Sequence, residues 1–373
     1  MRLTLSLLVA RIAAWASRTV LRRSGQALPG KVLLKLHPKA ISELSAKRRV
    51  ILVSGTNGKT STTKVLTEII SQLGETVSNR TGSNLDRGSA SALMEPSKFA
   101  VLEVDELYLP KMIEQSKPEI VLLLNLSRDQ LHRMHEVRKV CDRWKAAVKN
   151  APETTFIGDV DDPFIAAVLM CAAKRIRISF GGRRHLDGAV CPSCGLYLKW
   201  SQLNFKCSCG LSNSDYEMKL QSGSAAYRNC ELANIVGSNA GAKRLEFSSS
   251  DLERTVEKQI NGLATTIRLV KNPASWSEAL TSLSSQNIVL ILNAREVDGI
   301  DTSWLWDVSF ENLRGRKIIV CGERAIDLVH RLHVAGIDSD TETDLNHAVK
   351  RFSGNAEIEV LAAYTAFFSL VTL

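Results

Sequence analysis

The stretch VILVSGTNGKTSTTKVL, Val50 to Leu66, carries the residue types of a phosphate cradle. Gly55, Gly58, Lys59 and Thr60 follow a β-branched strand and open a helix. Backbone N–H groups in such a turn converge on one point, and the helix N-terminus adds partial positive charge. A lysine there can bridge terminal phosphates, and a threonine hydroxyl can ligate magnesium. Only two residues separate Gly55 from Gly58, fewer than in the common G-x-x-x-x-G-K-[ST] loop. Downstream, Glu103, Asp105 and Glu106 close the run FAVLEVDE. If that run is a parallel strand, its acids reach the same sheet edge as the loop, and Glu103 is placed to bind magnesium or orient its water. A second constellation is Cys191-x-x-Cys194 and Cys207-x-Cys209. Four thiolates so spaced can close a tetrahedral zinc site, with Gly195 and Gly210 supplying tight knuckles. Such a site has no open coordination position, so it would hold a hairpin and do no chemistry. The C-x-C half is contracted, and strain there is expected.

Strand and helix patterns alternate around these residues. RVILVSG, KFAVLEVDE and EIVLLLNLS read as strands. KTSTTKVLTEIISQLG and RDQLHRMHEVRKVCDRWKAAVKN read as helices. Buried apolar strands alternating with helices predict an α/β protein with a mostly parallel sheet covered on both faces. The pattern breaks near Gly181 at the cysteine-containing insertion, is less regular from about Leu211 to Leu263, and resumes in TTIRLVKNPASWSEALTSL and NIVLILNAREVDG. The expected organisation is a basic helix and lead-in over 1–48, a central nucleotide-binding domain over 49–263 with a zinc ribbon at about 188–212, and a smaller C-terminal α/β domain over 264–373.

The net charge of +9 over 373 residues favours anionic partners. Eight cysteines, four of them clustered, argue for a reducing compartment with one metal site rather than a disulfide scaffold. In MRLTLSLLVARIAAWASRTVLRRSG the positive charges interrupt and follow the apolar run, the reverse of a signal peptide, and the run is too short to span a bilayer. It reads as an amphipathic basic helix, packed on the domain behind it or docked on a membrane or partner.

GTNGKTS resembles the ATP-binding loop of the Mur ligase family, and EVDE and NLSRDQLHR stand at that family's downstream spacings. The four-cysteine insertion narrows the resemblance to MurT-type subunits of lipid II isoglutaminyl synthases. LVKNPASW, DGIDTSWLWDVSFENL, CGERAIDLVHRLHVAGI and LAAYTAF resemble their C-terminal domain, in order. The resemblance covers almost the whole chain. It implies a ligase that uses ATP and magnesium to phosphorylate the α-carboxylate of D-glutamate in the lipid II stem peptide. The acyl phosphate is then amidated with ammonia from a GatD-type glutaminase bound as a heterodimer partner. It further implies a cytoplasmic protein, peripheral at the inner face of the bacterial membrane. No nucleic acid partner is expected.

Position by position, the resemblance implies that Gly55, Thr56, Asn57, Gly58, Lys59, Thr60 and Ser61 cradle ATP. Thr60 and Glu103 bind magnesium, Asn125 and Asp129 sit beside nucleotide or metal, and Lys271 and Asn272 mark an interdomain nucleotide face. Cys191, Cys194, Cys207 and Cys209 bind zinc. In the family a C-terminal aspartate completes the partner's glutaminase triad, holding the histidine tautomer. The candidates here are Asp298, Asp301 and Asp307, with Asp301 favoured. Trp304 and Trp306 are expected at the partner surface or in the core. The chain departs from the pattern at Ser127 and His132, and residues 211–263 read as shortened, without the usual Gly-Arg…Glu signature. The alternatives are a degenerate scaffold subunit with weak ATPase, or a folylpolyglutamate synthase-type ligase.

Overall fold

The computed structural model describes residues 2–19, 27–79, 83–128, 136–247, 254–296, 298–353 and 356–371. The chain divides into two compact units, 1–126 with 136–252, and 127–135 with 253–373.

The first unit begins with three helices, α1 (Arg2–Thr19), α2 (Leu28–Leu36) and α3 (Ala40–Ser45). Next come β1 (Arg49–Ser54), α4 (Lys59–Ser71), β2 (Thr76–Ser78), α5 (Asp86–Leu93), β3 (Phe99–Val104), α6 (Leu109–Ser116) and β4 (Ile120–Leu123). The alternation continues through α7 (Val137–Lys149), β5 (Thr155–Asp159), α8 (Pro163–Leu169) and β6 (Lys174–Ser179). A small hairpin, β7 (Lys199–Ser201) and β8 (Asn204–Lys206), precedes β9 (Met218–Lys219) and α9 (Ala225–Ala240). The main sheet has seven strands in the order β2-β3-β1-β4-β5-β6-β9, and every pairing is parallel. The central strands are buried throughout, as a sheet covered on both faces requires. Ile51 and Val53 of β1, Val65 and Ile69 of α4, and Leu232 and Val236 of α9 share one core.

The described part of the polar stretch after β4 is helical from Val137 to Lys149; His132 and the rest of 129–135 lie outside the described residues. Residues 211–263, expected to be less regular, contain one long element, the 16-residue helix α9. Two polar side chains on its buried face hide the apolar period. Glu231 is 5% exposed and pairs with Arg244, while Asn234, 3% exposed, exchanges hydrogen bonds with the backbone of Leu245.

The second unit contains β10 (Thr255–Ile260), β11 (Leu263–Leu269), α10 (Pro273–Thr281), β12 (Asn287–Ile291), β13 (Lys317–Cys321), α11 (Ala325–Val334), β14 (Asp340–Thr341), α12 (Leu345–Lys350), β15 (Ile358–Ala362) and α13 (Tyr364–Val371). Its six strands run β10-β11-β15-β12-β13-β14, and only the β10–β11 pair is antiparallel. That pairing places β10 with this unit, upstream of the boundary expected at 263. Ile288 and Leu290 face one core while Val289 and Ile291 face another, the period-two pattern of a sheet buried on both sides.

Candidate functional site

The phosphate loop leaves β1 at the carboxyl edge of the parallel sheet. Gly55 (φ +148°) and Gly58 (φ +83°) adopt backbone conformations that favour glycine. Space demands glycine as well. A Cβ on Gly55 would come within 2.9 Å of the Asn125 backbone, and one on Gly58 within 2.2 Å of Asn229 Nδ2. The N-cap of α4 is Gly58, which has no side chain, so the positive end of the helix faces the loop without a side-chain cap. This loop fits a nucleotide phosphate.

Asn125 holds the loop in place. The Thr56 N–H donates to the Asn125 carbonyl at 2.9 Å. The Asn57 N–H donates to Asn125 Oδ1, and Asn125 Nδ2 donates to the Asn57 carbonyl, each at 2.9 Å. The side chain expected beside nucleotide or metal is therefore committed to the loop backbone. Asp129 lies outside the described residues.

Lys59 is 8% exposed, and its ammonium donates to Glu106 Oε2 at 2.8 Å and to the Gly55 carbonyl. Glu106 is 2% exposed, so this is a buried ion pair. Glu103 stands across the pleat from Val53 in the parallel register of β1 with β3. Its backbone is fixed on both sides by Asn79: the Glu103 N–H donates to Asn79 Oδ1, and Asn79 Nδ2 donates to the Glu103 carbonyl, each at 2.8 Å. Among the described residues no hydrogen bond or ion pair engages the Glu103 carboxylate. An acid near the carboxyl end of β3 with an uncommitted carboxylate, at the sheet edge where β1 gives way to α4 and Thr60 lies in that helix's first turn, fits a magnesium ion. Sequence reasoning named Glu106 without a role and missed Asn79 and Asn229. All three act across chain separations that no local pattern records.

The insertion is a hairpin closed by the four cysteines. Cys191 Sγ lies 3.6 Å from Cys209 Sγ, Cys194 Sγ lies 3.4 Å from Cys207 Sγ, and all four sulfurs fall within 4.8 Å of one another. A tetrahedral ion with bonds of about 2.3 Å would set its sulfurs about 3.8 Å apart, so the cage fits such an ion. The C-x-C half, where strain is expected, is a hydrogen-bonded turn. Gly210 turns at φ +94°, the Cys207 N–H donates to the Leu211 carbonyl at 2.8 Å, and the Gly210 N–H donates to the Cys207 carbonyl at 3.1 Å. Asp161, fully buried, fastens the hairpin stem to the sheet, accepting from Ser179 Oγ, the N–H groups of Phe180 and Gly182, and Asn213 Nδ2. Next to it, Asp162 caps α8, accepts the Leu126 N–H at 2.9 Å and meets His185 Nε2 at 3.3 Å. These contacts link the hairpin stem to the residue that follows Asn125.

In the second unit the three candidate aspartates differ sharply. Asp298 is 8% exposed and accepts hydrogen bonds from the N–H of Arg295, the N–H of Thr365 and the hydroxyl of Thr365. It fastens a loop to the start of α13. Asp307 pairs with Arg128 at 2.9 Å. Asp301 is exposed, with one carboxylate oxygen accepting the Ser303 N–H at 2.8 Å. Asn272 is the buried N-cap of α10 in a capping box with Ser275, and the Lys271 N–H donates to Ser275 Oγ. Trp304 is buried against Trp276, whereas Trp306 is 53% exposed and stacks edge-on against His330.

Comparisons with known proteins agree with both units. Residues 53–227 match the model of the Mur ligase middle domain, and residues 269–367 match that of the MurT ligase C-terminal domain. The lipid II isoglutaminyl synthase (glutamine-hydrolyzing) subunit MurT of Streptococcus pneumoniae is 26% identical, the alignment covering 98% of this chain and 95% of that protein. Its Staphylococcus aureus counterpart is 27% identical over 88% of this chain and 87% of that protein. Among solved structures, a pseudomurein peptide ligase type C from Methanothermus fervidus aligns with a TM-score of 0.62 at 14% identity, covering 87% of this chain and 79% of that one. The MurF ligase of Thermotoga maritima, solved in complex with ADP, aligns with a TM-score of 0.61 at 14% identity, covering 91% and 81%.

Proposed function

The chain belongs to the Mur ligase family and is a ligase, and from that premise we propose that it amidates the D-glutamate α-carboxylate of the lipid II stem peptide. The observation that carries this reading is one chain joining a Mur ligase middle domain, with its phosphate loop clasped and glycine-shaped, to a MurT-type C-terminal domain. A carboxylate is a poor acyl donor because its leaving group would be oxide. Its oxygen attacks the γ-phosphorus of ATP, ADP departs, and the resulting acyl phosphate has a competent leaving group. Ammonia then attacks the carbonyl carbon, inorganic phosphate leaves, and a proton is lost to give D-isoglutamine. Magnesium, when bound, spreads charge on the transferring phosphoryl group.

In this reading the residues from Gly55 to Ser61 cradle the phosphates, and Asn125 keeps their amides converged. Lys59 exchanges Glu106 and the loop carbonyls for phosphate oxygens. Thr60 and Glu103 hold magnesium. Lys271 and Asn272 belong to the nucleotide face, as does Asp129. Cys191, Cys194, Cys207 and Cys209 hold a structural zinc. Ammonia comes from a GatD-type glutaminase, and Asp301, the most exposed of the three aspartates, serves that partner's catalytic histidine. The site of action is the cytoplasmic face of the membrane, where the lipid-linked acceptor resides.

Co-expression with a GatD-type glutaminase, followed by a glutamine- and ATP-dependent lipid II amidation assay, tests the proposal. Amidated product that disappears when ATP is withheld supports it. A stable complex without ATP turnover would instead favour the scaffold, and no complex at all would overturn the partner assignment.

A further inference from the structure

Helix α1 is held to its own unit by its smallest side chains. Ser6, Ala10 and Ala14 are 7%, 0% and 6% exposed. The opposite face carries Leu5, Leu8, Val9, Ile12 and Trp15, each between 40% and 65% exposed. Their spacing of i, i+3, i+4, i+7 and i+10 confines them to an arc of about 120°. A protein surface does not ordinarily hold a contiguous apolar stripe in water, so this one has a partner. No described helix is long and apolar enough to cross a membrane. Charge identifies the occupant. Residues 1–42 contain eight lysines and arginines and no aspartate or glutamate, so this segment carries eight of the chain's nine net positive charges. A second copy of the chain would bring the same charge against it and be repelled. An anionic lipid surface supplies both an apolar interior for the stripe and negative headgroups for the charge.

We infer that α1 lies in the interface of an anionic bilayer, with Leu5, Leu8, Val9, Ile12 and Trp15 in the acyl boundary and the segment's net positive charge drawn to the headgroups. The inference deepens the reading of a lipid-linked acceptor and rests on it for its biological sense. Its test omits that acceptor, so the two can fail separately. The full chain is floated with vesicles of phosphatidylcholine alone or of phosphatidylcholine with phosphatidylglycerol, at low and high salt. The wild type is expected to float with the anionic vesicles, to detach as salt rises, and to bind neutral vesicles roughly tenfold less or weaker still. The double variant Leu8→Glu/Ile12→Glu is expected to lose binding by about tenfold or more, because each charge would have to enter the acyl boundary. Both side chains are exposed, so the variant should melt with the wild type, and a matching thermal midpoint excludes misfolding. Failure of the wild type to float with anionic vesicles overturns the inference, as does a folded variant that floats equally well. A variant that converts a purified dimer to a monomer, with neither form binding vesicles, assigns the stripe to a second copy and also overturns it. Vesicle binding without any amidation would sink the acceptor reading alone.

Discussion

Asn125→Ala tests whether the loop clasp is what makes the phosphate site. The substitution removes two hydrogen bonds of 2.9 Å, from the Asn57 N–H and to the Asn57 carbonyl. Each contributes about 1 kcal/mol net, so the clasped loop loses about 2 kcal/mol relative to its open forms. If nucleotide binds only the clasped form, apparent affinity falls with its population, and about 2 kcal/mol sets a ceiling of roughly thirtyfold. The backbone bond from the Thr56 N–H to the Asn125 carbonyl survives the substitution, which restrains the open state. A loss on the order of tenfold in affinity is therefore expected. Calorimetric titration with a non-hydrolysable ATP analogue and magnesium measures it. Hydrogen exchange in the nucleotide-free protein provides a second readout, because a clasp predicts faster exchange at Thr56 to Lys59 before any ligand is added. Were Asn125 instead a direct nucleotide contact, affinity would fall with no change in that exchange. An affinity within about twofold of wild type, in a folded variant with unchanged exchange, refutes the reasoning.

Lys59→Met should cost stability as well as activity, since it strands the buried Glu106 carboxylate at a penalty of about 3–5 kcal/mol. Adding Glu106→Gln should restore the thermal midpoint but not ATP turnover, and recovery of turnover would remove Lys59 from the mechanism. Asp301→Asn should abolish glutamine-driven amidation while sparing amidation driven by added ammonium. Equal loss of both would assign Asp301 to the ligase site or to the fold. Stripping the cysteine cage with a chelator should expose residues 189–212 to protease and leave the parallel sheet intact. The hairpin's own buried side chains, chiefly Leu198, Phe205 and Leu211, make too small a core to persist alone. Protease resistance after metal removal, verified by native mass spectrometry, would refute a structural role for the ion.

The amino-acid sequence alone determined what depends on neighbours along the chain. A β-branched strand, two glycines and a lysine at a helix start define a phosphate loop because its geometry spans only a few residues. Paired cysteines with following glycines define two knuckles for the same reason. Tertiary structure decided which group touches which. Asn125 clasps Asn57 across 68 residues, and Glu106 meets Lys59 across 47. Nothing in local spacing separates Glu103 from Glu106, yet among the described residues the Glu103 carboxylate has no partner while Glu106, beyond the end of β3, is buried on the lysine. Asp298, Asp301 and Asp307 read alike in sequence, yet Asp298 is buried on Thr365, Asp307 pairs with Arg128 and Asp301 is exposed. The apolar stripe of α1 was visible as a periodicity, but a period marks the two faces of a helix without saying which one is buried. Packing through Ser6, Ala10 and Ala14 turned the larger side chains outward, because small residues allow the closer approach.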